Sequence, residues 1–472
     1  MKNALIYQLA DFAAGCRYED LPERVVEESK RVLLDSIGCG LAGVEHEKGQ
    51  IGTRFGRMMG GDEATIIGSG EKASVCGAAF ANGELVSALD FDAILPPGHV
   101  SPYAIPVALA AGESVGASGR SLIAAIAVSH EMSCRMGNAM SQNRDTVNGK
   151  SADAPVLGYA STVLGTAAAA AMLRGLGTTK IADTLGIAAA TSPVNSHKAW
   201  CLHSPPSTIK YMLAGTLTQS ALTASYMAEF GHRGDHQALD DVEFGYARYI
   251  GTIKWAPENI TNGLGSLWTF PDLQSYKIYP HVRINAAPLD LMIEIVGAHD
   301  IKVEEIESVK AFGEGWAELP SFMNRNIQHV QDAQFSFVHA LAVAAHGYEP
   351  GKQWQRPDVV FNPSVLNLME RISWEVHPNF FNAYAANPLS RPSRLEVHAR
   401  GQVFVGEKGY PKGSPSSDPS TYATNDELIE KFKKNASGVL KDSSSDKIID
   451  AVFNLEDLTD IRQLMYYSGG GD

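Results

Sequence analysis

From Ala78 to Glu229 the chain is written in small residues. Ala124-Ala125, the run Ala167 to Ala171, Ala188 to Ala190 and Ala214-Gly215 recur along it. Alanine is the best helix former, and a small side chain lets one helix approach another closely. No heptad persists, so the stretch predicts a packed helical bundle and not a coiled coil. Glu113, Arg120, His130, Glu131, Arg174 and Lys180 interrupt it. No uninterrupted apolar run is then long enough to span a bilayer.

The flanking segments complete the expected architecture. Residues 4–43 read as two helices, the second opened by Leu21-Pro22 and carrying Val25, Val26, Val32, Leu33 and Ile37 at helical spacing. Residues 64–71 resemble a short strand and turn. Near Trp255 the alanine pattern stops. Residues 305–312, 371–378 and 393–406 then look like strands, with helical patterns at 286–298 and 332–347. A Gly/Pro/Ser loop over 407–423 precedes Thr424-Asn425-Asp426-Glu427, a capping-box pattern that opens a helix. Two more helices are expected near 446–453 and 457–466. With 472 residues the chain is too long for one simple core. The expected fold class is mainly α. A large all-helical domain is built from residues 1–269 and a return segment 407–472, and a smaller α+β domain at 270–406 is inserted between them.

Composition narrows the function. The formal net charge is -14, which argues against nucleic acid as the main partner. An acidic chain can still bind an anion where it gathers lysine, arginine or histidine locally. Five scattered cysteines without a CxxC pair fit reduced thiols in a cytoplasm. The N-terminus does not read as a signal peptide. GxGxxG after a strand, a Walker loop, a GxSxG elbow and HExxH are all absent, so no nucleotide, cofactor or metal is expected.

Chemistry concentrates between Glu84 and Glu113. An apolar helix pattern is broken by Asp90 and Asp92; a Pro-Pro-Gly turn and His99 follow, and then a second helix. Proline and glycine forbid helix at that turn and fix it rigidly. Catalytic loop and ordinary solvated loop weigh about equally on this stretch alone. Two lysines stand in apolar frames: Lys210 opening the helix that runs through Ala214-Gly215, and Lys277, followed by His281 and Arg283. Burying a lysine is costly unless it is paired or its pKa falls. An anion clamp competes with a snorkelling surface lysine, and composition alone favours the latter. His232, Asp235 and His236 make a poor metal site. His339 and His346 read as surface or packing residues. His197, Lys198 and His203 are left open as pocket lining.

Several segments together resemble the MmgE/PrpD family, which includes 2-methylcitrate dehydratase, cis-aconitate decarboxylase and iminodisuccinate epimerase. They are LPERVVEESKRVLLDSIGCGLAG (21–43), FANGELVSALDFDA (80–93), GHVSPYAIPVALAAGE (98–113), TIKYMLAGTLTQSALTASYMAEFG (208–231), KIYPH (277–281) and DAQFSFVHALAVAAHG (332–347). The resemblance covers nearly the whole chain and implies a helical domain, an inserted lid, a homodimer and cofactor-free chemistry on di- or tricarboxylates. By position in these motifs, Asp90, His99, Lys210 and Lys277 are implied catalytic residues. Tyr159 and His281 are implied substrate-binding residues. Three positions depart from the family: Ala93 replaces the second acid of its DFDD segment, Pro96 stands where a histidine is common, and Tyr159 replaces a histidine. The implied reaction moves a proton at a carbon next to a carboxylate, with lysines holding substrate and His99 as general acid or base. Dehydration or decarboxylation leads. Epimerisation, or a catalytically silent carboxylate-binding member, is the alternative.

Overall fold

The computed structural model describes residues 3–142, 145–147, 150–151, 154, 156–195 and 197–471. The chain is mainly α. The helices that frame the site are α1 (Leu5–Gly15), α2 (Glu23–Gly43), α3 (Glu47–Met58), α4 (Val75–Ser87), α5 (Ser101–Val115), α6 (Gly119–Ala139), α7 (Thr162–Leu173) and α8 (Thr178–Ala190). Serine hydroxyls open two of them: Ser74 accepts from the Gly77 N–H and Ser118 from the Ser121 N–H. Small residues set the spacing. A Cβ on Gly165 of α7 would lie 2.4 Å from the Ser129 carbonyl oxygen of α6, so these two backbones touch.

Three polar residues that interrupt the apolar pattern of α6 are wholly buried. Glu131 pairs with Arg135 at 2.6 Å. Glu131 also accepts the N–H groups of Thr269 and Phe270, and Arg135 donates to the carbonyls of Ile260, Asn262 and Leu267. This buried pair fixes the irregular segment that leads to Lys277. His130 donates from Nδ1 to the Ile126 carbonyl, and its Nε2 is buried without a partner.

A four-stranded sheet lies beyond that segment, in the order Gln402–Lys408, Ser393–Ala399, Ile306–Gly313, Ile372–Val376. The first two pairings are antiparallel and the last is parallel. Buried and less buried residues alternate along Ser393–Ala399, as one covered face requires. The helices Ala286–Ala298 and Phe337–Ala345 share that core, which continues through Phe322 and Trp200 into α6 and α7. After the sheet the chain returns. The Thr424 capping box forms, and the helix Asn425–Ala436 places Leu428 and Phe432 in one core with Val32, Leu33 and Ile37 of α2. A Cβ on Gly38 would lie 3.1 Å from the Phe432 ring.

Local structure departs from the sequence expectation at three places. Lys210 does not open a helix: it sits in a turn with φ 58°, and the helix begins at Ala214. The pattern at 332–347 is two helices, because the Ser336 hydroxyl caps the second by accepting from the His339 N–H. The 393–406 stretch is a hairpin that turns at Arg400 and Gly401, both with positive φ. No helix among the described residues is long and apolar enough to cross a membrane.

Burial pushes the His130 imidazole down to about 4. An unfolded imidazole titrates near ~6.5, so between these values the unfolded chain holds a proton that the folded chain does not. The stabilisation from neutral His130 is therefore complete above the unfolded value and is lost as pH falls toward the folded one. His130→Leu removes this linkage. From pH 7 to pH 5 wild type should lose about 2 kcal/mol more than the variant. Denaturant titrations of both proteins at the two pH values check it, and equal losses would refute the assignment.

Candidate active site

The site is built on the end of α4. Asp90 takes a left-handed conformation, φ 52°, which stops the helix. The carbonyls at a helix end lack intrahelical donors and need other partners. Here they come from side chains far along the chain. Gln334 donates to the Ala88 carbonyl at 2.9 Å, Gln355 to Leu89 at 2.8 Å, Lys277 to Asp90 at 2.6 Å and Lys431 to Phe91 at 2.9 Å. The chain then makes a tight hairpin, pairing Ile94 with His99 and Leu95 with Gly98 around Pro96-Pro97. Ile94 also exchanges both backbone hydrogen bonds with Ser275, at 2.8 and 2.9 Å. That pairing brings Lys277, two residues on, beside Asp90.

Lys210 and Lys277 grip the Asp90 carboxylate, one on each oxygen, both at 2.7 Å. All three side chains are buried. Burial alone would raise the Asp90 pKa; the ammonium groups of Lys210 and Lys277, aided by His99, outweigh it and hold the carboxyl well below its usual range. Asp90 is thus a fixed anion and not a proton donor. Burial draws Lys277 below the usual lysine value, opposed by Asp90 and Asp92.

His99 rests on a second acid. Its Nδ1 lies 2.6 Å from Asp92 Oδ2. A carboxylate only accepts, so Nδ1 carries the proton and, in the neutral ring, Nε2 holds the lone pair. Nε2 lies 3.5 Å from Asp90 Oδ1. Despite its own burial, Asp92 is held below its usual value by His99 and, behind it, by Lys277 and Lys210.

Three of these groups border a cavity of about 280 Å³. Asp90, His99 and Lys277 form one wall. Tyr159, His197 and Tyr211 form a ring cluster beside it, with Tyr159 5.3 Å from His197 and 4.7 Å from Tyr211. Burial, reinforced by Cys201 and Asp90, raises the Tyr159 phenol, so it stays protonated. Burial and His99 push His197 down to about 3. Arg283, donating to Ser414, and Arg391, paired with Glu314, face the cavity from the other segment, as do Trp316, Phe322 and Phe335.

Of the residues singled out from sequence, Asp90, His99, Lys210 and Lys277 meet, and Tyr159 lines the same cavity. Lys210 touches Asp90 but is not part of the cavity wall. His281 is buried behind the wall, where Nε2 donates to the Ser336 carbonyl. Burial lowers its pKa to about 4, so it is neutral. Asp92, Arg283 and Arg391 join the site without having been chosen from the sequence, and His197, left open there as pocket lining, lines the cavity. For Asp92 the signal was present, since it shares a break with Asp90. Arg391 lies in an unremarkable loop that only the fold brings here. Asp90, Asp92 and His99 have ligand-type atoms within 4.8 Å of one another. Two ammonium groups already occupy the Asp90 oxygens, so the set is a poor donor group for a divalent cation.

Asp90→Asn would leave two buried ammonium groups facing a neutral amide. Stranding a buried charge in this way costs about 3–5 kcal/mol. A clear drop in the thermal midpoint is expected, and an unchanged midpoint would show that the lysines are not held in place by this carboxylate.

Known proteins match the chain over most of its length. Residues 7–258 match the MmgE/PrpD N-terminal domain and residues 279–457 the MmgE/PrpD C-terminal domain. The cis-aconitate decarboxylase of Homo sapiens is 24% identical over 491 residues, covering 98% of this chain and 93% of that protein. The cis-aconitate decarboxylase of Mus musculus is 23% identical, covering 98% and 92%. That of Aspergillus terreus is 23% identical, covering 98% and 96%.

Proposed function

The chain belongs to the MmgE/PrpD family, and on that premise we propose a cofactor-independent lyase of di- or tricarboxylates that decarboxylates a cis-aconitate-like substrate. Arg283, Arg391 and the third N–H of Lys277 hold substrate carboxylates. The bond to the departing carboxylate breaks, and its electron pair passes into the unsaturated system conjugated with a remaining carboxylate. Protonated His99 delivers the proton to carbon from Nε2, while Asp92 steadies the imidazolium. Asp90 keeps Lys277 and Lys210 fixed, so Lys210 acts through Asp90 and not on substrate. Cations prearranged where negative charge develops lower the barrier without reorganising.

The observation that favours decarboxylation is the Asp92–His99 pair, a proton carrier backed by a carboxylate at the cavity. Dehydration needs a base for the C–H proton and an acid for the leaving hydroxide. Epimerisation needs proton transfer on two faces. Decarboxylation needs one donor. Among the described residues, His99 is the one imidazole at the cavity with a carboxylate partner. His197, pushed down to about 3, is a feeble base, and the Tyr159 phenol keeps its proton. The replacements at Ala93 and Tyr159 lean toward the silent carboxylate-binding reading, which the same assay addresses. Residues 270–406, supplying Lys277, Arg283 and Arg391, are proposed to act as a lid on 1–269 and 407–472, in a homodimer.

Incubation with cis-aconitate and a panel of citrate-like and amino-dicarboxylate compounds in heavy water, followed by NMR, is expected to show carbon dioxide loss with one deuteron incorporated at carbon. No turnover and no exchange across the panel would overturn the enzyme reading. His99→Gln should lower kcat by about a hundredfold or more with KM little changed. Wild-type turnover in that variant would remove His99 from the mechanism.

A further inference from the structure

Behind the catalytic turn, away from the cavity, lies a further buried ion pair. Lys431, on the helix Asn425–Ala436, meets Asp35 of α2 at 2.7 Å, with side-chain exposures of 9% and 0%. Neither residue lines the cavity. Both hold the backbone on either side of Asp92. Lys431 donates to the Phe91 carbonyl at 2.9 Å, and its ammonium sits 3.9 Å from the centre of the Phe91 ring. The Asp35 carboxylate faces the Ala93 backbone N–H, which helps to draw its pKa down against burial. The Phe91 ring is buried with Cys39, Ala42, Val86 and Leu89. Asp92 is thereby the middle residue of three: Phe91 before it is bonded to Lys431, and the Ala93 N–H after it faces Asp35. Its Oδ2 bonds His99, while its Oδ1 is buried without a partner. With no second contact of its own, the Asp92 side chain depends on the backbone around it for its aim.

We propose that Asp35 and Lys431 are positioning residues for the acid/base pair: they clamp the backbone on both sides of Asp92 and so set its carboxylate against His99 Nδ1. This rests on the reading of His99 as the proton donor. A misplacement near 1 Å at a reacting group costs up to roughly a hundredfold in rate. The clamp touches neither substrate nor cavity, so binding should be spared.

The test uses Lys431→Met and the double variant Asp35→Asn/Lys431→Met. The single change strands a buried carboxylate and can cost the fold; the double change is charge-balanced and keeps an acceptor for the Ala93 N–H. Two quantities are read. The first is kcat against KM for cis-aconitate. The second is the downfield proton resonance of His99 Nδ1–H, identified by its loss in His99→Gln. In the double variant kcat should fall roughly tenfold to a hundredfold with KM within about threefold, and the resonance should broaden or move upfield. Lys434→Met, which breaks exposed pairs on the same helix, should leave both unchanged. An unaltered resonance in the folded double variant would overturn the proposal. So would an equal change in Lys434→Met, which would mean that any disturbance of the helix suffices. If wild type fails to turn over cis-aconitate, the resonance alone decides, so failure of the substrate reading and failure of the clamp are separable.

Discussion

Four consecutive carbonyls, from Ala88 to Phe91, each take a hydrogen bond from a side chain between 187 and 340 residues away. The rest of the site depends on this. Holding aspartate in the left-handed region costs about 1–2 kcal/mol. A buried carbonyl left without a donor costs about 1–3 kcal/mol more. Nothing local meets these costs, since the turn has no glycine at Asp90 and no capping side chain of its own. Gln334, Gln355, Lys277 and Lys431 meet them, and they arrive from the sheet-bearing segment and from the C-terminal return. The turn is therefore complete only when the whole chain is folded, and the geometry of Asp90, Asp92 and His99 is a property of tertiary structure.

The same turn gathers more charge than stability alone would favour. Desolvating a carboxylate and two ammonium groups costs several kcal/mol per ion, and well-packed apolar residues can serve stability as well or better. What the ions supply is fixed polarity. Asp90 draws Lys277 to the cavity wall and holds it with two bonds, to the Asp90 carbonyl and carboxylate. A lysine alone would sample many rotamers. A lysine so held presents its remaining N–H in one direction, which is what a preorganised anion site requires.

Much of this was legible in the sequence. The alanine-rich helices, the short-strand turn near residue 65, the strands around 306–313 and 372–376 and the Thr424 capping box follow from local pattern, which tertiary structure preserved. Asp90, His99 and Lys277 drew notice as charged or polar residues in apolar frames, and the family resemblance singled them out as a set. Lys210 stood out for the same reason, but its local structure was misread. Its turn, at positive φ, is held by the ion pair to Asp90, and no helix-breaking residue immediately precedes it to give warning. His281 looked like a site residue by proximity to Lys277, yet its ring turns to the Ser336 carbonyl. Arg283, Arg391 and Lys431 were not selected because an arginine or lysine in a loop or amphipathic helix is ordinary until the fold places it. Pattern reveals residues that pay for burial, and it is silent about those whose partner lies across the molecule.

Net charge sharpens the point. The chain carries a formal charge of -14, a repulsive field for any polycarboxylate. Around the cavity the balance reverses. Among the described residues, Lys210, Lys277, Arg283 and Arg391 face Asp90, Asp92 and Glu314, an excess of one positive charge with His99 neutral and two with it protonated. The site therefore attracts an anion most strongly in the protonation state that can donate. In the proposed decarboxylation, His99 gives up its proton to carbon and the excess falls to one as the substrate sheds a carboxylate as neutral carbon dioxide. The site and its bound anion thus lose charge together, and the product meets a weaker positive field than the substrate did. In a low-dielectric cavity, where charge interactions are strong, that coupling would favour capture of the more highly charged substrate and release of the less charged product.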